Sequence, residues 1–285
     1  MNSLKPNINK TLKLGVLGFP LSHTLSPIIH NYWLGRHDLK GFYSAVEINP
    51  SDLEAFFRDD IFQYDGMNVT IPHKLDVFDF MDEIHESAKI IGAINCISVN
   101  QESRLLGSNT DADGFMSGLL ASIPNIKFDK CNAMIIGAGG ASRAVIYSLI
   151  SKSVKKITIT NRSADRLMTI NKAFHGNLNT IKWEEKDKEL SQADIIINCT
   201  SLGMLGNDNL EIDVNLFRSN AIVVDLVYNP IQTDLIKNAS ERGLKTSNGL
   251  PMLLHQAALS WKIWFDILPE INSELLEIVE NKLKI

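Results

Sequence analysis

The sequence predicts an α/β protein of two domains, the second built on a doubly wound parallel sheet. Three observations predict this class. The chain has 285 residues, which is close to two domains of ordinary size. From Cys131 onward, continuous apolar runs alternate with amphipathic helix patterns, as is typical of parallel sheets covered on both faces. Before that point, short strand patterns alternate with helix-start signals, so the first domain is also α/β.

The first hundred residues contain several strand and helix signals. The strand candidates are residues 13–19, 42–48, 66–71, 93–99 and 104–107. Ser26 followed by Pro27 predicts a helix, because serine is a favoured N-cap and proline is favoured at the first helical position. The capping-box spacing of Ser51 and Glu54 predicts a second helix, and Pro72 predicts a third. The last two strands flank a polar turn, which predicts a hairpin.

The second half of the chain reads as repeated strand and helix units. Strand cores are predicted at residues 133–136, 156–160, 193–198 and 221–226, and helices at 112 onward, 141–150, 164–174 and 233–242. Residues 124–130 are predicted to be a linker. From Gly249 two further helices are predicted, separated at Pro269, with Trp261 and Trp264 on an apolar face.

Composition excludes several classes of function. Lysine and arginine number 28 against 33 acidic residues, a net charge of -5, so there is no basic footprint for nucleic acid or an anionic membrane. Apolar residues make up 45% of the chain, which excludes disordered and collagen-like proteins. No apolar run reaches membrane-spanning length. A small molecule is therefore the expected partner.

The cysteines indicate the compartment. Cys96, Cys131 and Cys199 are few, odd in number and without CxxC spacing, so neither a disulfide framework nor a metal site is expected. Free thiols predict a reducing cytoplasm. The apolar stretch 14–21 is broken by glycines and a proline and is not followed by a cleavage site, so it predicts a strand rather than a signal peptide.

A glycine-rich turn indicates a nucleotide site. It follows a predicted strand and opens a helix, the setting of the Rossmann dinucleotide fingerprint, in which the helix N-terminus holds a pyrophosphate. The turn consists of Gly137, Ala138, Gly139, Gly140 and Ala141. The alternative is a turn whose glycines serve only tight packing of the strand against the helix.

The residues after the next strand favour NADP over NAD. An NAD site usually has a carboxylate there for the ribose hydroxyls. This chain instead has Asn161, Arg162 and Ser163, followed by Arg166. Two guanidinium groups suit a 2′-phosphate through charge-assisted hydrogen bonds. The alternative is that both arginines are ordinary solvated surface charges.

Polar motifs at segment ends of the first domain indicate a substrate site. Ser22 to Pro27 offers hydroxyls and a helix N-terminus, which suit a carboxylate or a polyol. Asn68 and Thr70 project to the same side of a strand, with Lys74 one turn beyond Pro72. Asn109-Thr-Asp111 supplies a carboxylate.

Together these motifs resemble the shikimate dehydrogenase family over nearly the full length of the chain. The matching segments are Gly18-Phe-Pro-Leu-Ser-His-Thr-Leu-Ser-Pro27, Asn68-Val-Thr-Ile-Pro-His-Lys74, Gly92-Ala-Ile-Asn95, Asn109-Thr-Asp111, Gly137 to Arg143, Asn161-Arg162 with Arg166, Asp225-Leu-Val-Tyr228-Asn-Pro230 and Gly249 to Gln256. The resemblance implies an enzyme that reduces 3-dehydroshikimate to shikimate with NADPH, in the pathway to aromatic amino acids.

The resemblance also implies the roles of individual residues. Lys74 and Asp111 are the catalytic pair. The substrate site comprises Thr24, Ser26, Asn68, Thr70, Asn95, Tyr228 and Gln256, and the cofactor site comprises the turn 137–141 with Asn161, Arg162, Ser163, Arg166, Thr200 and Gly249. The implied fold has a discontinuous substrate domain, residues 1–110 plus 249–285, and an NADP-binding domain, residues 111–248. The assembly is expected to be a monomer or a homodimer, without a metal.

The implied chemistry agrees with the residue types. Hydride transfer to a ketone leaves an alkoxide that must receive a proton, and the Lys74 ammonium can supply it. A nearby Asp111 carboxylate keeps the amine protonated and orients it. The reverse reaction needs neutral lysine, so alcohol oxidation should gain as pH rises. Each residue also has an ordinary alternative, since Lys74 could be a solvated surface residue and Asp111 a helix cap.

Other residues near these motifs are interpreted as peripheral. Asp113 is expected to be first-turn helix charge. His23, His73 and His255 match no metal-ligand pattern and are expected to lie outside the chemistry. Tyr228 and Gln256 could instead be polar groups at the core edge that bond to backbone.

Two departures from the common family pattern leave two rival functions open. Thr24 stands where serine is usual and adds a methyl group at the carboxylate end of the site, which bears on the discrimination between shikimate and quinate. Pro251 replaces a common glycine, and altered stiffness of the nicotinamide loop is expected there rather than lost activity. One rival is a quinate or quinate/shikimate dehydrogenase that makes more use of NAD, and Arg162 and Arg166 count against it. The other is a non-catalytic NADP-binding regulator that has kept the fold.

Overall fold

The computed structural model describes residues 10–283, which form two compact units. One unit runs to Thr110 and resumes with Leu254–Lys282, and the other is Asp111–Leu253. The sequence predicts the return to the first domain at residue 249, whereas residues 249–253 belong to the second unit. Close backbone packing accounts for the difference, because a Cβ on Gly118 would lie only 2.7 Å from Pro251 C and from Met252 N.

Twelve strands and ten helices are present among the described residues. The strands are β1 (Leu12–Gly18), β2 (Gly41–Glu47), β3 (Gly66–Val69), β4 (Glu83–Ile84), β5 (Cys96–Val99), β6 (Leu105–Ser108), β7 (Asn132–Ile136), β8 (Lys156–Thr160), β9 (Asn179–Ile181), β10 (Ile195–Asn198), β11 (Ile222–Asp225) and β12 (Lys245–Ser247). The helices are α1 (Ser26–Arg36), α2 (Leu53–Asp59), α3 (Glu86–Ile91), α4 (Asp111–Ser122), α5 (Gly140–Ser151), α6 (Ala164–Ala173), α7 (Lys186–Leu190), α8 (Asp234–Glu241), α9 (Leu250–Phe265) and α10 (Ser273–Leu283).

The first unit is built on a mixed sheet in the order β2-β1-β3-β5-β6-β4. β1 is parallel to β2 and β3, whereas β5 is antiparallel to β3 and β6 and so forms the predicted hairpin. Helix α9 covers this sheet with Trp261 and Trp264, both fully buried. The Trp264 indole N–H donates to the Ile97 carbonyl at 3.0 Å, which ties the helix to β5.

Two predicted helix starts in this unit are wrong. After Pro72 the chain makes successive i→i+3 turns, in which His73 N–H donates to Thr70 O and Asp76 N–H to His73 O, and then a 3₁₀ segment, Asp76–Phe80. Before α2 lies another 3₁₀ turn, and its cap is the Asn49 side chain, which accepts from the Ser51 N–H at 3.3 Å. Capping by Asn49, two residues earlier than predicted, displaces Ser51 from the cap.

The second unit is a fully parallel sheet in the order β12-β11-β10-β7-β8-β9, the doubly wound arrangement. Both faces are buried: Ala133 and Ile135 of β7 pack with α5 and α6, and Met134 and Ile136 pack with α8. The predicted α/β class is therefore confirmed. No helix within residues 10–283 is long and apolar enough to cross a bilayer.

A buried histidine lies in the core of the first unit. The His30 ring stacks on Tyr43, with centroids 4.1 Å apart, and its Nδ1 accepts a hydrogen bond from Trp261 Nε1 at 2.9 Å. Its Nε2 has no hydrogen-bond partner among the described residues. Burial lowers the pKa of His30 from 6.5 to about 3, so the ring is neutral in the folded protein.

We expect His30→Gln to weaken the pH dependence of stability between about pH 3 and 6.5. In this window the unfolded chain binds a proton at His30 and the folded protein does not, so the free energy of unfolding falls as pH falls, by about 1.4 kcal/mol per pH unit at most. Glutamine keeps an acceptor for Trp261 and removes this proton. Urea unfolding across the window measures the slope, and equal slopes in both proteins would contradict the assignment.

Candidate active site and cofactor site

A cluster of buried amides lies in the first unit, centred on Asn68 at β3. Its Oδ1 accepts from the Tyr43 hydroxyl at 2.8 Å, and its Nδ2 donates to Ser260 Oγ at 2.8 Å and to the Asn95 carbonyl at 3.1 Å. Asn68 is buried. Three segments distant in sequence are thus joined at one amide, and the orientation of that amide is fixed.

Asn95 and Gln256 continue the cluster. Asn95 Nδ2 donates to Gln256 Oε1 at 3.2 Å and to Thr110 Oγ1 at 2.9 Å, while its Oδ1 accepts the Thr110 N–H at 2.6 Å. Ser260, one turn after Gln256 on α9, donates to the Gln256 carbonyl at 3.1 Å. Three predicted substrate residues, Asn68, Asn95 and Gln256, therefore come together.

The predicted hydroxyl residues lie around α1 and β3. Ser26 is the buried first residue of α1 and hydrogen-bonds the Tyr43 hydroxyl. Thr24 is half-buried, and its Oγ1 accepts from the Ser26 N–H at 3.4 Å. Thr70 is half-buried directly after β3. Tyr43 thus joins Ser26 to the amide cluster, and burial raises its pKa, so the hydroxyl stays protonated and can donate.

The predicted catalytic pair is divided between the two units. Lys74 is half-buried in the first, and its backbone carbonyl accepts from the Ile94 N–H at 2.9 Å. Asp111 is the buried first residue of α4 in the second, where the positive end of the helix dipole favours a carboxylate. Asp113, interpreted as first-turn helix charge, lies in the first turn of α4 and is exposed.

The remaining predicted substrate residue and the flanking histidines differ in burial. Tyr228 is half-buried in the second unit after β11, and burial raises its pKa. His23 is exposed, whereas His73 is fully buried and its Nε2 lies 2.7 Å from the Ile48 carbonyl. His73 therefore anchors the turn that carries Lys74.

The glycine-rich turn joins β7 to α5, and the structural surroundings of its glycines differ. Gly137 has φ +109°, and a Cβ there would lie 2.8 Å from Thr200 Cγ2, so conformation and packing both require glycine. Gly139 has open space around it, because a Cβ would meet no heavy atom within 4 Å. Packing within the protein does not require that glycine. A ligand that approaches the backbone at this point would require a glycine there, and this favours the nucleotide interpretation of the turn.

Asn161 links this turn to the next strand end. Its Oδ1 accepts from the Ala138 N–H at 3.2 Å, and its Nδ2 donates to the Ser163 carbonyl at 3.1 Å. Ser163 caps α6 through the Arg166 N–H. Arg162 and Arg166 are exposed, and within residues 10–283 neither has a carboxylate oxygen within 4.0 Å. No acidic side chain of these residues therefore pairs with either guanidinium group, and both can pair with an anionic ligand.

The other predicted cofactor residues form the far side of the same sheet edge. The N–H and hydroxyl of Thr200 both donate to Asn198 Oδ1, at 3.0 and 2.7 Å. The Gly249 N–H donates to the Val227 carbonyl at 3.0 Å. These contacts fix the loops after β10 and β12 at the carboxyl ends of the strands, where doubly wound sheets bind ligands.

Three structural contributors were not predicted as site residues. Tyr43 and Ser260 hold the amide cluster, and buried Asp225 accepts from Thr233 Oγ1 at 2.6 Å and from Asn198 Nδ2 at 2.9 Å. Burial raises the pKa of Asp225, and these hydrogen bonds oppose the shift. Asp225 lies in a family motif, which was a usable signal. Tyr43 and Ser260 gave none.

Within residues 10–283, no group of three or more His, Cys, Asp or Glu side chains could hold a metal ion, and Cys96, Cys131 and Cys199 form no disulfide. Burial raises the pKa of Cys199, so it remains a thiol rather than a thiolate.

Comparison with known proteins covers both units. Residues 16–97 match the shikimate dehydrogenase substrate binding domain, and residues 119–236 match the shikimate / quinate 5-dehydrogenase family. The shikimate dehydrogenase (NADP(+)) of Bacillus subtilis strain 168 is 39% identical over 274 residues, 94% of this chain and 96% of that protein.

Solved structures give the same result. Shikimate 5-dehydrogenase from Thermus thermophilus, in complex with NADP(H) and shikimate, has a TM-score of 0.84 at 31% identity, covering 96% of this chain and 100% of that one. Quinate dehydrogenase from Corynebacterium glutamicum, in complex with NAD, has a TM-score of 0.85 at 26% identity, covering 97% and 100%. The resemblance that the motifs indicated is confirmed, and the chain belongs to the shikimate dehydrogenase family.

Proposed function

We propose that the chain catalyses the reversible, NADPH-dependent reduction of 3-dehydroshikimate to shikimate, a step toward the aromatic amino acids. The buried amide cluster of Asn68, Asn95 and Gln256 is the observation that carries this proposal. An apolar core does not need three amides from three distant segments, and leaving them unpaired would be costly. A polyhydroxylated ring presents the donors and acceptors that such a cluster can bind.

The residues at the carboxyl edge of the second sheet suit NADP(H). The turn 137–141 and the N-terminus of α5 would hold the pyrophosphate, and Arg162 and Arg166 the 2′-phosphate. Asn161 and Ser163 would position those arginines, and Thr200 and Gly249 would line the far side. When bound, the cofactor supplies or accepts the hydride.

Lys74 then moves the proton. In reduction its ammonium donates to the oxygen of the forming alcohol, and in oxidation the neutral amine takes that proton back. Asp111 orients the amine. Hydrogen bonds near the two residues support this pairing. The Lys74 carbonyl accepts from the Ile94 N–H, and the side chain of the next residue, Asn95, accepts from the N–H of Thr110, the residue before Asp111. Thr24 and Ser26 would bind the substrate carboxylate, and Thr70 and Tyr228 its remaining polar groups.

Quinate oxidation with NAD is the second candidate. It is favoured by the similarity to the quinate dehydrogenase named above and by Thr24, whose methyl group changes the carboxylate end of the site. Arg162 and Arg166 weigh against it, because their unneutralised charges suit a 2′-phosphate that NAD lacks.

A spectrophotometric assay distinguishes these functions. Reduced nicotinamide is followed over a range of shikimate or quinate concentrations, each with NADP or NAD, and shikimate with NADP should give the highest kcat/KM. Faster turnover of quinate with NAD would establish the rival enzyme. An absence of turnover in all four combinations would leave a nucleotide-binding protein without this activity.

We also propose a cytoplasmic location and a monomeric or homodimeric state. The three cysteines, which form no disulfide among the described residues, support the first, because cysteines outside disulfides persist in reducing compartments. Light scattering of the purified full chain measures the second, and a larger assembly would contradict it.

A further inference from the structure

A cavity of about 410 Å³ lies beside the strand end that carries Arg162. Asn161, Arg162 and Lys182 line it, together with Met168 and Trp183. The polar residues at its rim are thus accompanied by apolar walls. A charged group seated against such walls interacts more strongly with its partners than it would in open water.

The sheet register brings Arg162 and Lys182 to neighbouring positions. β8 and β9 are parallel, with Thr160 paired to Ile181. Arg162 follows that pair by two residues and Lys182 by one, on strands about 4.8 Å apart. Both therefore leave the same carboxyl edge of the sheet, where the ribose of a dinucleotide is held at the second strand of the fold.

The charges around the cavity favour an anion. Within residues 10–283, neither Arg162 nor Lys182 has a carboxylate oxygen within 4.0 Å of its side-chain nitrogens, and the Lys182 backbone N–H donates to Glu185 Oε2 at 3.3 Å. Glu184 also lines the cavity and subtracts one charge. By contrast, nearby Lys186 is already engaged, by Asp187 at 3.6 Å and by the Trp183 ring.

We infer that Lys182, which lines this cavity together with Arg162, is a third cation for the 2′-phosphate of NADP(H); the inference rests on the proposed function. A 2′-phosphate carries close to two negative charges at neutral pH, so a second strand end with an unneutralised ammonium adds affinity and discrimination against NAD. No family motif of the chain includes Lys182.

Titration of the full chain with 2′,5′-ADP and with 5′-AMP tests this, because the two ligands differ only in the 2′-phosphate. Lys182→Gln should weaken 2′,5′-ADP binding about tenfold and leave 5′-AMP binding unchanged. Raising the salt concentration should reduce the difference in 2′,5′-ADP affinity between the wild type and Lys182→Gln, because salt screens the interaction between the charges. Lys188→Gln is the matched control, since Lys188 is an exposed lysine of α7 that does not line the cavity, and it should bind both ligands as the wild type does.

The outcomes separate the inference from the proposed function. If the wild type binds 2′,5′-ADP no better than 5′-AMP, the NADP preference itself fails. If the wild type discriminates, and Arg162→Gln abolishes this while Lys182→Gln does not, only the role of Lys182 is overturned. Equal weakening of both ligands by Lys182→Gln would also overturn it, because the effect would not depend on the 2′-phosphate.

Discussion

Lys74→Ala should lower the turnover of shikimate with NADP about 100- to 10,000-fold, the range expected for removal of a general acid–base group. The alkoxide formed by hydride transfer would then have to take its proton from water, which is less well placed than an amine held beside the substrate. The protein should remain folded, because the Lys74 backbone contact with Ile94 does not depend on the side chain.

Steady-state rates at saturating substrate measure this effect, with urea unfolding as the test that the unit carrying Lys74 is intact and 2′,5′-ADP binding as the same test for the cofactor unit. Lys89→Ala is the matched control, since Lys89 is an exposed lysine of the same unit that pairs with Glu86. Wild-type turnover in Lys74→Ala would refute the assignment. Turnover lost together with nucleotide binding would point to misfolding instead.

Asp111→Asn tests whether the two residues act together. If Asp111 serves by orienting the Lys74 amine, the double variant should be little slower than Lys74→Ala, because effects of residues acting as a unit do not add. Additive losses would mean that Asp111 acts independently.

Strand prediction succeeded where the sequence carries a dense apolar signal. The four central strands of the second sheet are buried on both faces, and the run Ile195, Ile196, Ile197 in β10 illustrates the continuous apolar signal that this burial produces. The edge strands β9 and β12, Asn179–Ile181 and Lys245–Ser247, were missed. Each has three residues, mostly polar, and an edge position exposes them to water, so hydrophobic patterning cannot reveal them.

The site was predictable as a set of motifs but not as a network. Asn68, Asn95 and Gln256 each lie in a family segment, yet the hydrogen bonds of their cluster form only because helix α9 packs back into the first unit. Ser260, which accepts from Asn68 Nδ2, lies 192 residues away in sequence. A serine within an apolar helix and a tyrosine within a strand are ordinary residues, so Ser260 and Tyr43 carry no local signal of their role.

Gly249→Ala should strongly destabilise the second unit. A Cβ at this position would lie 2.0 Å from the Leu226 carbonyl oxygen and 2.5 Å from its carbon, both backbone atoms, and the Gly249 N–H already bonds the Val227 carbonyl. Backbone in a packed sheet edge cannot move aside as a side-chain tip can. We expect a loss of about 3 kcal/mol in the free energy of unfolding, at the upper end for overpacking.

Urea unfolding of the ligand-free protein measures this loss, and Gly35→Ala provides a control of opposite sign. Gly35 lies exposed in α1 with nothing within 4 Å of an added Cβ, so alanine should stabilise the helix by about 0.5–1 kcal/mol. Wild-type stability in Gly249→Ala would show that the backbone around Leu226 yields to the added methyl group.

Gly139→Ala completes the test by separating packing from ligand binding. Its Cβ would enter open space, so stability should stay close to the wild type, whereas NADP affinity should fall because the methyl group occupies the approach of the pyrophosphate. Gly249→Ala should lose stability first, and nucleotide affinity only as a consequence. If Gly139→Ala keeps full NADP affinity, that glycine serves no ligand, and the turn would have to be interpreted as a packing feature alone.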